Sequence, residues 1–256
     1  MKIPFKQIYF AGCSHTAGGG LSEAIDWYSE RDVHYKNARE VSYPKLVSDH
    51  FNLPKIDKSL SGTGVIKIIK DFYSHINSDE DNEAKNTLFI FQFNESPFRV
   101  NEWSNDLNNN FNMYVLYQND KIYDSQVLEE WMEPNPYSQI QVDELKSKKQ
   151  IWLDSFYDCS IYEQNIKTQL IGFISYLTLH NFNFIFTCEY FESNTLGDIL
   201  CKNKFMPFGY KSIFDYASAT QLRLVDLTNI NDDHPSVEAH NLYANELITH
   251  IIKKYT

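Results

Sequence analysis

No run of apolar residues in this 256-residue chain approaches the roughly 20 needed to cross a bilayer. The first ten residues lead straight into an apolar, strand-like stretch with no signal-peptide cleavage pattern, so the expected setting is the cytoplasm. Cysteine is scarce. Cys13, Cys159, Cys188 and Cys201 show no C-x-x-C spacing, which argues against a zinc ribbon or finger and against a disulfide framework. Basic residues are also outnumbered: 23 Lys and Arg face 34 Asp and Glu, a formal charge of −11. Such a balance speaks against binding nucleic acid or an anionic membrane, both of which need a positive surface. Internal repeats are absent too.

What is present alternates strand with helix. Lys6 to Ala11 reads as a short buried strand ending at Gly12, and Tyr43 to Phe51 as a helix with Pro44 in its first turn. Lys55 to Ser59 reads as a second strand. Gly64 to Ile76 carries apolar residues at the 3.6 period of a helix. Thr87 to Phe93 (TLFIFQF) is the strongest strand, apolar nearly throughout, as expected of one covered on both faces. A long helix is expected over Asp158 to Leu179, strands over Asn183 to Cys188 and Leu222 to Leu227, and a last helix over Ser236 to Lys254. Its stripe is Ala244, Leu247, Ile248, Ile251, Ile252 and Tyr255. Such alternation implies a parallel sheet between helices, in one domain. Two stretches break the rhythm. Residues 96–150, rich in Asn, Asp, Tyr and Trp, read as an insertion over the site or a mobile lid, and Phe191 to Gln221 as an irregular connection.

In an open parallel sheet, ligands bind beyond the carboxyl ends of the strands. After the first strand comes Gly12-Cys13-Ser14-His15-Thr16-Ala17-Gly18. A serine there can be a nucleophile if a base takes its proton, or a helix cap in a glycine-rich turn. A phosphate-binding loop is disfavoured by the missing Gly-Lys-Ser/Thr ending. The base candidate lies in Asn231-Asp232-Asp233-His234-Pro235-Ser236, where a carboxylate can hold an imidazole in one tautomer. The same hexapeptide also suits a solvated turn before the last helix, capped by Ser236. Gly62, in Ser59-Leu60-Ser61-Gly62-Thr63-Gly64, can offer a bare N–H to a developing oxyanion, and Asn94 a side-chain amide, although Asn94 equally suits an Asx-turn. His240 reads as a surface or core histidine of the last helix, and Cys13 as a small buried residue. His50, His75 and His180 lack the pairing of a metal-binding helix, and the 78–81 run lacks the spacing of a calcium loop. No metal and no cofactor is expected.

In chain order these residues are Ser14, Gly62, Asn94 and His234, and the combination resembles the SGNH (GDSL-like) hydrolase family, named for its serine, glycine, asparagine and histidine. The resemblance covers the chain apart from residues 96–150. It implies a three-layer α/β/α, flavodoxin-like fold with a mostly parallel sheet, and metal-free cleavage or transfer of ester-linked acyl groups. Carried over by position, Ser14 is the nucleophile and His234 the general base. The N–H groups of Ser14 and Gly62 and the Asn94 side chain form the oxyanion hole. Cys13 stands where the family usually has aspartate. The family's acid lies three residues before the histidine, where this chain has Asn231. Asp232, two residues before, is taken as the acid through a shifted turn, the other arrangement being a Ser–His dyad helped by a backbone carbonyl.

His15, Thr16 and Thr63 are expected to line the substrate. The expected activity is hydrolysis of an acyl or acetyl ester. Trp103, Tyr114, Tyr117 and Trp131 in the insertion fit a glycan-linked or small-molecule ester, since exposed aromatics stack on sugar rings, and equally fit packing within a lid. Acyl transfer by the same chemistry, and a non-catalytic binding or assembly role on the same fold, are the other readings. The sequence sets no oligomeric state.

Overall fold

The computed structural model describes residues 3–18, 39–59, 64–78, 83–93, 117–118, 121–122, 159–188, 204–205, 213, 217 and 235–256. Strand β1 (Gln7–Ala11) runs into a short helix α1 (Ser14–Ala17), followed by α2 (Tyr43–Phe51), β2 (Lys55–Asp57) and α3 (Val65–Asn77). After a 3₁₀ turn at Glu83–Asn86 come β3 (Thr87–Phe93), the small strands β4 (Tyr117–Gln118) and β5 (Lys121–Ile122), and helix α4 (Cys159–Leu179). Strands β6 (Asn183–Cys188) and β7 (Lys204–Phe205) and helix α5 (Val237–Tyr255) complete the order.

The main sheet has five strands in the order β2-β1-β3-β6-β7, and each neighbouring pair is parallel. Strand β3 lies at its centre and is buried along its whole length, as its nearly continuous apolar run requires. Alternation along the strands then sorts the side chains by face. Phe89, Phe91 and Phe93 join Tyr9, Phe184 and Phe186 beneath α3 and α4, whose contribution is Ile68, Phe72, Leu170 and Phe173. Phe72 and Phe173 meet edge to face at 5.1 Å, and Phe91 meets Phe173 likewise at 5.2 Å, the geometry aromatic quadrupoles favour. The other face is mainly aliphatic: Ile8, Phe10, Leu88, Ile90 and Ile185 sit under Tyr43 and Val47 of α2 and Leu247 and Ile251 of α5. Helices thus cover both faces, giving the expected three layers.

The helix periods read from sequence agree closely with the structure. Of the α5 stripe, Ala244, Leu247, Ile248 and Ile251 are buried, while Ile252 and Tyr255 pack at its margin. The stripe also extends one turn further back, through Tyr243, His240 and Ala239. Ser236 caps α5 by accepting the Ala239 N–H at 3.2 Å, as expected.

Two sequence readings need correction. Strand β2 stops at Asp57 rather than Ser59, because the Asp57 carboxylate takes the Ser59 N–H at 3.0 Å and turns the chain. The 191–221 stretch is not wholly irregular, since β7 pairs alongside β6; two residues show no period to detect. Within the insertion, β4 and β5 form a small antiparallel pair. The strand expected at Leu222 to Leu227 lies outside the described residues. Among the described residues, no helix is long and apolar enough to cross a membrane.

Candidate active site

The chain leaves β1 at Ala11 and, after Gly12 and Cys13, enters α1 at Ser14. The Cys13 carbonyl accepts the N–H groups of Thr16 at 3.1 Å and Ala17 at 3.0 Å, which fixes the turn, and Cys13 is fully buried as expected. Gly18, at φ 81°, ends α1 in the left-handed region where a side chain would be strained. Gly12 is required for a different reason. A Cβ there would lie 2.9 Å from both Gln92 Cβ and Thr16 Cβ, and against the Thr16 hydroxyl. Only a residue without a side chain lets α1 lie this close to β3.

Beneath α1 lies a buried polar cluster. Gln92, on the aliphatic face near the carboxyl end of β3, accepts from the Thr16 hydroxyl and, at 3.1 Å, from the Tyr43 phenol. The phenol oxygen also lies 3.3 Å from Thr16 Oγ1. One amide oxygen has two lone pairs, so it can take both hydroxyl protons. Thr16, Gln92, Tyr43 and Thr187 are all essentially shut off from water. Burial holds the Tyr43 phenol well above its ordinary pKa, although hydrogen bonds with Thr16 and Thr187 pull the other way. The Nδ1 of His240 accepts the backbone N–H of Tyr43 at 3.1 Å, and the two rings stack at 5.9 Å with 17° between planes.

A second polar cluster stands at the carboxyl end of β2. The Asp57 side chain, 6% exposed, lies 3.8 Å from Arg39 Nε and 3.6 Å from Lys55 Nζ. It also accepts the Ser59 N–H and hydroxyl, while Arg39 Nη2 donates to the Ser59 carbonyl at 2.6 Å. Ser59 is thereby held at the mouth of the segment that leads to Gly62.

Ser14 therefore opens a helix at the carboxyl edge of the sheet, just beyond the end of β1, the strand next to β3. Thr16, expected to line the substrate, is instead fully buried and bonded into the cluster below. Gly62, Thr63, Asn94, Asp232 and His234 lie outside the described residues, as do Trp103, Tyr114 and Trp131; of His15, the structure describes only its place in α1, and Tyr117 begins β4. Sequence reasoning passed over Tyr43, Gln92, Arg39 and Asp57. The available signals were an amide interrupting the apolar run of β3 and an acid ending β2. Among the described residues, no group of three His, Cys, Asp or Glu side chains is placed to hold a metal ion.

No family model matches the chain, and neither does any curated protein. Solved structures do. A carbohydrate esterase, whose active site displays divergent catalytic and non-catalytic binding functions, aligns over 97% of this chain with a TM-score of 0.51 and 13% identity. An acetylxylan esterase from Geobacillus stearothermophilus aligns over 98% of this chain and 96% of its own, at a TM-score of 0.47 and 13% identity. A lipolytic G-D-S-L family protein from Veillonella parvula aligns over 95% of this chain and 96% of its own, at 0.40 and 11%. The present chain spans 65% of the length of the carbohydrate esterase. What it shares with that esterase is the fold, a parallel sheet enclosed by helices on both faces, as the resemblance to the SGNH hydrolases implies.

Proposed function

We propose that this protein is a serine ester hydrolase working through an acyl-enzyme. The observation that carries the reading is the position of Ser14, which starts a helix just beyond the carboxyl end of β1, beside the central strand of a parallel sheet. That edge is where ligands bind in open α/β sheets. The described chain also leaves β2 at Asp57 and β3 at Phe93, immediately before the segments that hold Gly62 and Asn94, and enters α5 just after His234.

In this scheme Ser14 Oγ attacks the ester carbonyl carbon while His234 takes the hydroxyl proton, with Asp232 orienting the imidazole. The carbonyl oxygen becomes an oxyanion and is met by the N–H groups of Ser14 and Gly62 and the amide of Asn94. Collapse of this intermediate breaks the ester bond, and His234 returns the proton to the departing alcohol. Water then attacks the acyl-Ser14 ester by the same route and frees the carboxylic acid. With a sugar hydroxyl in place of water, the same acyl-enzyme would give acyl transfer.

The substrate reading is a small or glycan-linked acyl ester. It is supported by the fold shared with a carbohydrate esterase and by the aromatic residues of the 96–150 insertion. The test is hydrolysis of p-nitrophenyl acetate by wild type and Ser14→Ala, paired with mass-spectrometric mapping of fluorophosphonate labelling. Wild type is expected to turn over and to carry the adduct on Ser14. Turnover that survives Ser14→Ala overturns the nucleophile assignment, and a folded wild type showing neither turnover nor adduct leaves a binding role on the same fold.

A further inference from the structure

Tyr43 bonds to each of three segments that lead to the proposed chemistry. Its phenol donates to Gln92 at 3.1 Å, and Gln92, on β3, comes two residues before Asn94 in the sequence. The phenol oxygen lies 3.3 Å from Thr16, two residues after Ser14. Its backbone N–H is held by His240 at 3.1 Å, and its ring stacks on that imidazole. His240 is six residues after His234, with the buried Pro235 and the Ser236 cap between them. These bonds span 27, 49 and 197 positions of sequence.

Core filling alone would be served as well by phenylalanine. A fully buried phenol must give up its water, which is unfavourable unless the hydroxyl finds partners. Here those partners are the residues that fix how α1 sits on β3. Resting on the serine-esterase reading above, we infer that Tyr43 is a positioning residue: it sets the nucleophile's helix, the strand that leads to Asn94 and the start of α5, which follows His234, in one register. Displacing a reacting group by about 1 Å can cost on the order of 10²-fold in rate, so losing one bond of this cluster should act on turnover more than on binding.

The experiment compares wild type with Tyr43→Phe, which removes only the hydroxyl, and with Tyr9→Phe as a control. Tyr9 is as deeply buried but faces the opposite layer, and its hydroxyl has no hydrogen-bond partner among the described residues. The readouts are kcat and KM for p-nitrophenyl acetate, the rate of fluorophosphonate labelling at Ser14, and the melting temperature. Tyr43→Phe is expected to lower kcat and labelling rate about tenfold with KM within about twofold, while Tyr9→Phe stays within about twofold throughout. Should Tyr43→Phe melt below the assay temperature, Thr16→Val, which removes another hydroxyl of the cluster, is judged by the same criteria, and Thr16→Ser should restore the rate. Labelling and kcat at wild-type values in a folded Tyr43→Phe would overturn this inference alone. Failure of wild-type Ser14 to label at all would bring down the esterase reading and this inference with it.

Discussion

The imidazole of His240 accepts the backbone N–H of Tyr43 at 3.1 Å, joining the first turn of α5 to the first residue of α2. Helix starts leave several N–H groups without an intrahelical partner. In α2 the usual remedy is missing, because the Ser42 hydroxyl makes no cap and instead donates to the Arg39 carbonyl at 3.0 Å. Pro44 has no N–H to satisfy, and Lys45 donates to the Ser42 carbonyl at 3.1 Å. Tyr43 is thus served by a side chain from the far end of the sequence. A nitrogen that accepts a hydrogen bond has its lone pair free, so the His240 proton resides on Nε2.

His240→Ala should therefore destabilise the fold by about 1–3 kcal/mol, the cost of leaving one buried N–H without an acceptor. His240→Asn places an amide oxygen near the former Nδ1 and should recover part of that loss. Urea midpoints for the three proteins check the order. Equal midpoints for the Ala and Asn variants would mean that the hydrogen bond contributes nothing beyond packing.

Gly12→Ala tests the contact between α1 and β3. The new methyl would meet Gln92 Cβ and Thr16 Cβ at 2.9 Å, and neither is the far end of a flexible side chain. Overpacking of this kind costs typically about 1–3 kcal/mol. Because α1 must move away from β3 to admit the methyl, Ser14 should also label more slowly with fluorophosphonate. A variant as stable and as reactive as wild type would show that the turn has room to spare.

The elements were legible in the sequence where a period or a nearly continuous apolar run exposed them. Thr87–Phe93 stands out because a central strand buried on both faces has no polar alternation, and Val65–Asn77 because its apolar residues recur every three to four positions. Strand β7 is too short to show either signal. The candidate nucleophile was legible as a motif, being a serine in a glycine-bounded turn after a strand. Its supports were not. Thr16 looks like a polar residue facing a ligand, and only the approach of Gln92 and Tyr43 turns it inward. Likewise His240 looks like any helical histidine until a partner 197 positions away comes beside it.

Asp57 offers a second lever on the site. Two cations and two Ser59 donors converge on a carboxylate that is 6% exposed, so Asp57→Ala takes an acceptor from all four at once, leaving Arg39, among the described residues, only its bond to the Ser59 carbonyl. Breaking a buried pair costs about 3–5 kcal/mol, and the lower end applies because the Arg39 side chain is 32% exposed. Asp57→Asn keeps the shape and one acceptor and should cost less. Both variants should slow turnover of p-nitrophenyl acetate more than they raise KM, since Ser59 begins the segment carrying Gly62. Thermal melts and steady-state kinetics decide this, and an unaltered kcat in a folded Asp57→Asn would separate the cluster from catalysis.

Stability should fall on the alkaline side. Burial raises the phenols of Tyr9 and Tyr43 well above their ordinary value of 10.0 and that of Tyr255 to about 12. In the unfolded chain these phenols lose their protons near pH 10, whereas in the folded protein they keep them. Between those values the folded state binds more protons, so the free energy of unfolding decreases as pH rises. The stabilisation is complete below about pH 10 and drains away above it, through about pH 12 for Tyr255. Urea midpoints at about pH 8 and about pH 11 should differ in wild type and differ less in Tyr43→Phe, which has no proton to lose at that position. Tyr9→Phe should show the same flattening. Unlike Tyr43→Phe, it should lose little or no stability at about pH 8, because the hydroxyl it removes is buried without a hydrogen-bond partner among the described residues. An identical pH slope in all three proteins would mean that these phenols titrate as freely in the folded chain as in the unfolded one.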